Sequence, residues 1–141
     1  MDINKLLKAL DDEKNDVLFN FTKKSICEMN LKILKELHLS KTILITFYNK
    51  LKNYKYVDEL KDLKYGTFLR WIPIGDPSNI YLTRGAIFCE VKITDNGIMF
   101  VCKNNGLRSR YFQIALDKNL IFQKLTKQEE VLLSALEHLS K

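Results

Sequence analysis

The sequence predicts an α+β fold, with helices through about residue 64, antiparallel strands from residue 65, and a closing helix. Two observations carry that reading. All five glycines and both prolines fall between Gly66 and Gly106, so the first 65 residues contain neither strong helix breaker. Beyond Gly66 the apolar spacing changes from near 3.6 residues to 2.

Taken in order, Leu6, Leu7 and Leu10 give a short apolar stripe. Leu18, Phe21, Ile26, Met29, Ile33 and Leu37 give a longer one, predicting a helix over roughly 16–38. Ser40 is placed to cap a third helix in which Leu44, Phe47, Tyr48 and Leu51 share a face. Val57, Leu60 and Leu63 predict a last helical turn or two, for three to four helices in the segment 1–64.

In the second segment, 65–141, Thr67–Ile72 reads as the first strand. Ala86–Thr94 alternates, with Ile87, Cys89, Val91 and Ile93 on one face and Phe88, Glu90 and Lys92 on the other, less buried one. Asp95-Asn96-Gly97 supplies a turn into Ile98–Lys103, because Asn and Gly tolerate positive φ. Tyr111–Leu116 and Leu120–Leu125 complete five strands. Thr126-Lys127-Gln128-Glu129 then fits a reciprocal capping box opening a terminal helix. Val131, Leu132, Ala135, Leu136 and Leu139 form its apolar face, expected to pack on the preceding sheet as one compact unit. Five short sequential strands with a long second hairpin resemble the SH3-like or Tudor-like small barrels. That resemblance rests on strand number and turn placement.

Composition narrows the setting. A chain of 141 residues, 46% hydrophobic, can bury a core without disulfides or metal. No apolar run approaches the about 20 residues that span a bilayer, and Lys5 and Lys8 interrupt any signal-like stretch at the amino terminus. Three cysteines, Cys27, Cys89 and Cys102, read as free core thiols of an intracellular protein of cytoplasm, nucleus or a particle. The net charge of +6 comes with abundant Lys, Asn and Ile, the residue usage of an AT-rich genome.

No catalytic constellation is legible. The cysteines and the two histidines, His38 and His138, lack metal-ligand spacing, so no metal or other cofactor is expected. Each histidine sits near an expected helix carboxyl end, where a partly positive ring is favoured. Isolated glycines at Gly66 and Gly85 do not make a phosphate loop. The expectation is a non-enzymatic protein.

The suggestive stretch is 103–111, where Lys103, Arg108 and Arg110 stand on a glycine-containing loop beside Tyr111 with no acid among them. Arg70, next to Trp71, and Arg84 add cations in the same half. Arginine grips carboxylate or phosphate with paired hydrogen bonds, and arginines and aromatics concentrate binding energy at interfaces. All four arginines and the only tryptophan lie beyond residue 64. The expected role is therefore an interaction or structural component that docks other chains, or a second copy of itself, through its β half. The alternative is nucleic-acid binding, with phosphates held by the 103–111 loop.

Overall fold

A computed structural model of the chain describes residues 22–104, 106, 108 and 110–139. The stripe Leu6, Leu7 and Leu10 and the start of the 16–38 helix lie outside these residues. The described chain forms two compact units. One holds the described residues up to Lys55 together with those from Leu125 onward, and the other is Tyr56–Lys124. The division therefore falls at different points from residue 64, and it groups the terminal helix with the helices.

In the helical unit, α1 runs Lys23–Lys35 behind a capping box of Thr22 and Ser25. The Thr22 hydroxyl accepts from the Ser25 N–H at 3.0 Å, and the Thr22 N–H donates to the Ser25 hydroxyl at 2.9 Å. Ile26, Asn30 and Leu34, four residues apart, form its buried stripe. Asn30 is polar in that stripe because its Nδ2 donates to the Tyr54 carbonyl at 2.9 Å and the Leu51 carbonyl at 3.4 Å. Helix α2, Lys41–Lys50, is capped by Ser40 as the sequence predicts. Phe47 and Leu51 are buried and Leu44 and Tyr48 half-buried along its one face.

Helix α3, Lys127–Leu139, opens on the expected capping box. The Glu129 N–H donates to the Thr126 hydroxyl at 3.1 Å, and the Thr126 N–H donates to a Glu129 carboxylate oxygen at 2.9 Å. Leu132 and Leu133 pack with Ile26 of α1 and with Leu125, and Leu136 lies against that cluster. Leu133 takes the core place that the sequence assigned to Leu139, which is 76% exposed.

Six antiparallel strands form one open sheet: β1 Tyr54–Tyr56, β2 Phe68–Pro73, β3 Ala86–Thr94, β4 Gly97–Lys103, β5 Tyr111–Ala115 and β6 Asn119–Lys124. Their order is β1-β6-β2-β3-β4-β5. The expected five-stranded closed barrel is thus corrected. Closure would require the outer strands to pair, but β1 and β5 stand at opposite ends of the order. The helical turn expected over Val57–Leu63 is corrected as well. Tyr54-Lys55-Tyr56 alternates aromatic and charged residues in the manner of a strand, Val57 N–H bonds the Ile121 carbonyl at 2.9 Å, and only Leu60–Asp62 makes a single 3₁₀ turn. Buried Gln123 ties that turn down, accepting from the Lys64 N–H at 2.7 Å and donating to the Asp62 carbonyl at 3.2 Å.

The core of this unit joins Val57, Leu69, Trp71, Ala86, Phe88, Phe100, Cys102 and Ile121. Phe88 and Phe100 meet edge-on with centroids 5.4 Å apart. The sequence placed Phe88 on the less buried face, and a bulge explains the reversal. The β3–β4 register pairs Phe88 with Cys102 but Glu90 with Val101, leaving Cys89 as the extra residue. One inserted residue swaps the faces. Phe88 and Val91 therefore both face the core, opposite Cys102 and Phe100, whereas strict alternation would separate them.

The same geometry sorts the thiols. Cys102 is fully buried, and that burial, with Cys89 adding in the same direction, pushes its pKa up from an ordinary 9.0 to about 12. Cys27 and Cys89 are half-buried. A maleimide at pH 8 should modify Cys27 and Cys89 first, with Cys102 labelled only on unfolding, as read by peptide mass spectrometry. The raised folded pKa also fixes a sign. Above pH 9.0 the unfolded chain loses this proton before the folded one does, so the thiol draws stability down as pH rises towards 12.

Candidate functional site

Antiparallel register places cross-strand partners on one face. Phe68 of β2 pairs with Ile87 of β3, Ile87 with Lys103 of β4, and Lys103 with Tyr111 of β5. The row Phe68–Ile87–Lys103–Tyr111 therefore crosses four strands on the face opposite Phe88 and Phe100. Alternation puts Arg70, two residues after Phe68, on that same face.

Within the row, the Lys103 ammonium lies 5.8 Å from the centre of the Tyr111 ring. The Tyr111 ring quadrupole attracts that charge, while 66% of the residue remains open to solvent. Further along the face, the Glu90 carboxylate is already matched by Lys92 at 3.7 Å.

Arg70 and Arg84 are brought together by Thr83. The Thr83 N–H donates to the Trp71 carbonyl at 3.0 Å, and its hydroxyl accepts from the Trp71 N–H at 3.1 Å. Its carbonyl accepts from Arg70 Nε at 2.9 Å. This lacing holds the end of the β2–β3 loop on the strand and delivers Arg84, the next residue, at an exposed position. Gly85 follows at φ +94°, where a Cβ would run into the Leu69 carbonyl oxygen and lie 2.7 Å from the Phe68 ring.

Arg108 and Arg110 are exposed on the loop between β4 and β5. The Arg110 carbonyl accepts from the Asn104 N–H at 3.0 Å, which extends the strand pairing into the loop base. Among the described residues, Arg84, Lys103, Arg108, Arg110 and Lys118 have no carboxylate partner within salt-bridge distance. The structure thus pairs Lys103 with Tyr111 and Arg70 with the Arg84 loop, and leaves Arg108 and Arg110 in solvent. Trp71 is a core residue against Phe112, with ring centroids 5.8 Å apart.

Sequence reasoning missed Phe68, Ile87 and Thr83. Phe68 and Ile87 join the row through a register that the bulge at Cys89 disguises. Thr83 acts through three hydrogen bonds, each with a backbone group at one end, that leave no compositional trace. In the helical unit, a cleft of about 170 Å³ lined by Lys23, Asn53, Glu130 and Glu137 is far smaller than a typical ligand pocket. Among the described residues no three His, Cys, Asp or Glu side chains gather as a metal site, and no helix is long and apolar enough to cross a membrane. No family model matches the chain, and neither a curated protein nor a solved structure matches it.

Proposed function

We propose that this protein is a non-enzymatic interaction component that docks another protein through the basic and aromatic face of its β unit. One observation carries the reading: Phe68, Ile87, Lys103 and Tyr111 form a continuous cross-strand row with Arg70 beside it, flanked by arginines without acidic partners. A rigid sheet presenting charged and aromatic groups loses little conformational freedom on binding. Unpaired cations at the rim favour encounter with an acidic surface.

Cross-linking in extracts of the source cells, mapped by mass spectrometry, tests this. Partner cross-links should concentrate at Lys103 and fall away in an Arg84→Glu/Arg108→Glu/Arg110→Glu variant. Cross-links concentrated on the lysines of α1 and α2, and unchanged by the triple substitution, would overturn the reading. Nucleic acid remains the competing partner. It would show as binding of a mixed-sequence oligonucleotide whose salt dependence flattens by about one phosphate for each arginine removed.

A further inference from the structure

The open edge of β5 narrows the kind of partner, on the footing of the docking reading above. Among the described residues, β4 is the one strand paired with β5. The bond from Asn104 N–H to the Arg110 carbonyl sets the phase of the ladder. In an antiparallel pair, residues alternate between bonding their neighbour and facing away. Arg110, Phe112 and Ile114 therefore turn their backbone groups towards β4. Tyr111, Gln113 and Ala115 turn theirs to the open side. The Ala115 carbonyl is taken by Asn119 Nδ2 at 2.7 Å. Both polar backbone groups of Tyr111 and Gln113, and the N–H of Ala115, remain available for a further strand.

Native sheets guard such edges with charge, proline or a bulge, and β5, Tyr-Phe-Gln-Ile-Ala, has none of these. Its surroundings are one-sided in charge. Lys103, Arg108, Arg110 and Lys118 flank it, against Asp117 alone. Its two faces also differ. Phe112 and Ile114 continue the apolar core, and Tyr111 and Gln113 lie on the Lys103 face.

We infer that β5 takes an extended segment of a partner protein as a seventh strand, a segment alternating apolar and acidic residues. Its apolar side chains extend the Phe112–Ile114 side, and its carboxylates lie on the Lys103 face beside the basic loop. A second copy of this chain fits less well, because it brings the same cations to the junction and the net charge is already +6.

The probe is a synthetic heptapeptide alternating valine and glutamate, titrated into the full chain by fluorescence anisotropy at low salt. Three comparisons read the mechanism. Gln113→Pro deletes an outward N–H and spares the β4 ladder, since edge strands tolerate proline on the solvent side. It should weaken binding about tenfold or more, equivalent to roughly 1.4 kcal/mol, with circular dichroism and melting unchanged. A peptide N-methylated on every residue should not bind, because neither of its edges can then donate to β5, and this also decides the matter if Gln113→Pro fails to fold. A peptide with lysine for glutamate should not bind either.

Absence of binding by the parent peptide overturns the inference. Equal binding by the N-methylated peptide overturns strand addition while leaving face-mediated docking intact, because cross-links at Lys103 do not depend on the β5 edge. Dimerisation seen by light scattering and abolished by Gln113→Pro makes a second copy the occupant, and preferential oligonucleotide binding makes it nucleic acid. Either result rejects the acidic segment.

Discussion

Phe100→Ala should destabilise the protein by about 3–5 kcal/mol, the usual cost of emptying a buried aromatic site. Phe100 is fully buried, meets Phe88 at 5.4 Å and sits opposite Val91 in the register. Its neighbours come from paired strands whose backbone positions are fixed, so the cavity cannot readily collapse. Urea unfolding should show a lower midpoint with an unchanged denaturant slope. A loss below about 1 kcal/mol would mean that the core relaxes into the space.

Gly85→Ala is the second large effect, and it acts through the backbone. At φ +94° an L side chain is strained, and a methyl there meets the Leu69 carbonyl and the Phe68 ring. Left-handed strain costs roughly 1–2 kcal/mol, and overpacking against atoms that cannot move adds about 1–3 kcal/mol. The structure has two ways to respond, loss of stability or a shift of the loop. Because Thr83 and Arg84 immediately precede this glycine, a shift would displace the Arg84 guanidinium. Thermal melting reports the first, and protection of the Trp71 and Thr83 amides from hydrogen exchange reports the second. A variant with wild-type melting and wild-type protection would contradict the steric argument.

Much of the architecture was legible because it rests on local rules. Ser40 and the Thr126–Glu129 box mark helix starts by side chains that satisfy orphan backbone donors. Asp95-Asn96-Gly97 marks its hairpin by tolerance of positive φ, and Gly97 indeed sits at φ +108°. What stayed hidden depends on distant parts of the chain. No pattern in Ala86–Thr94 tells that Cys89 is supernumerary; that is decided by what β4 can match. Tyr54–Tyr56 is too short to announce itself as a strand before β6 is present to pair with it. The broad face of α3 was legible as apolar, but its partner Ile26 lies about a hundred residues away and no periodicity points there. The basic loop was visible by composition, whereas the row linking Tyr111 to Phe68 exists only through three registers at once.

The way the helical unit is written along the chain bears on how the protein is made. Ile26 emerges from the ribosome about a hundred residues before Leu125, Leu132 and Leu133, the residues that pack with it. Tyr56–Lys124, by contrast, contains every residue of its own aromatic core, and its β3–β4 and β4–β5 pairs join strands that are neighbours in sequence. Domains fold largely as units during synthesis, and contacts close in sequence form faster than distant ones. The sheet is therefore a part that can form before α3 is made, whereas Ile26 of α1 waits for α3. Helix α3 is the closing clasp of a unit begun about a hundred residues earlier.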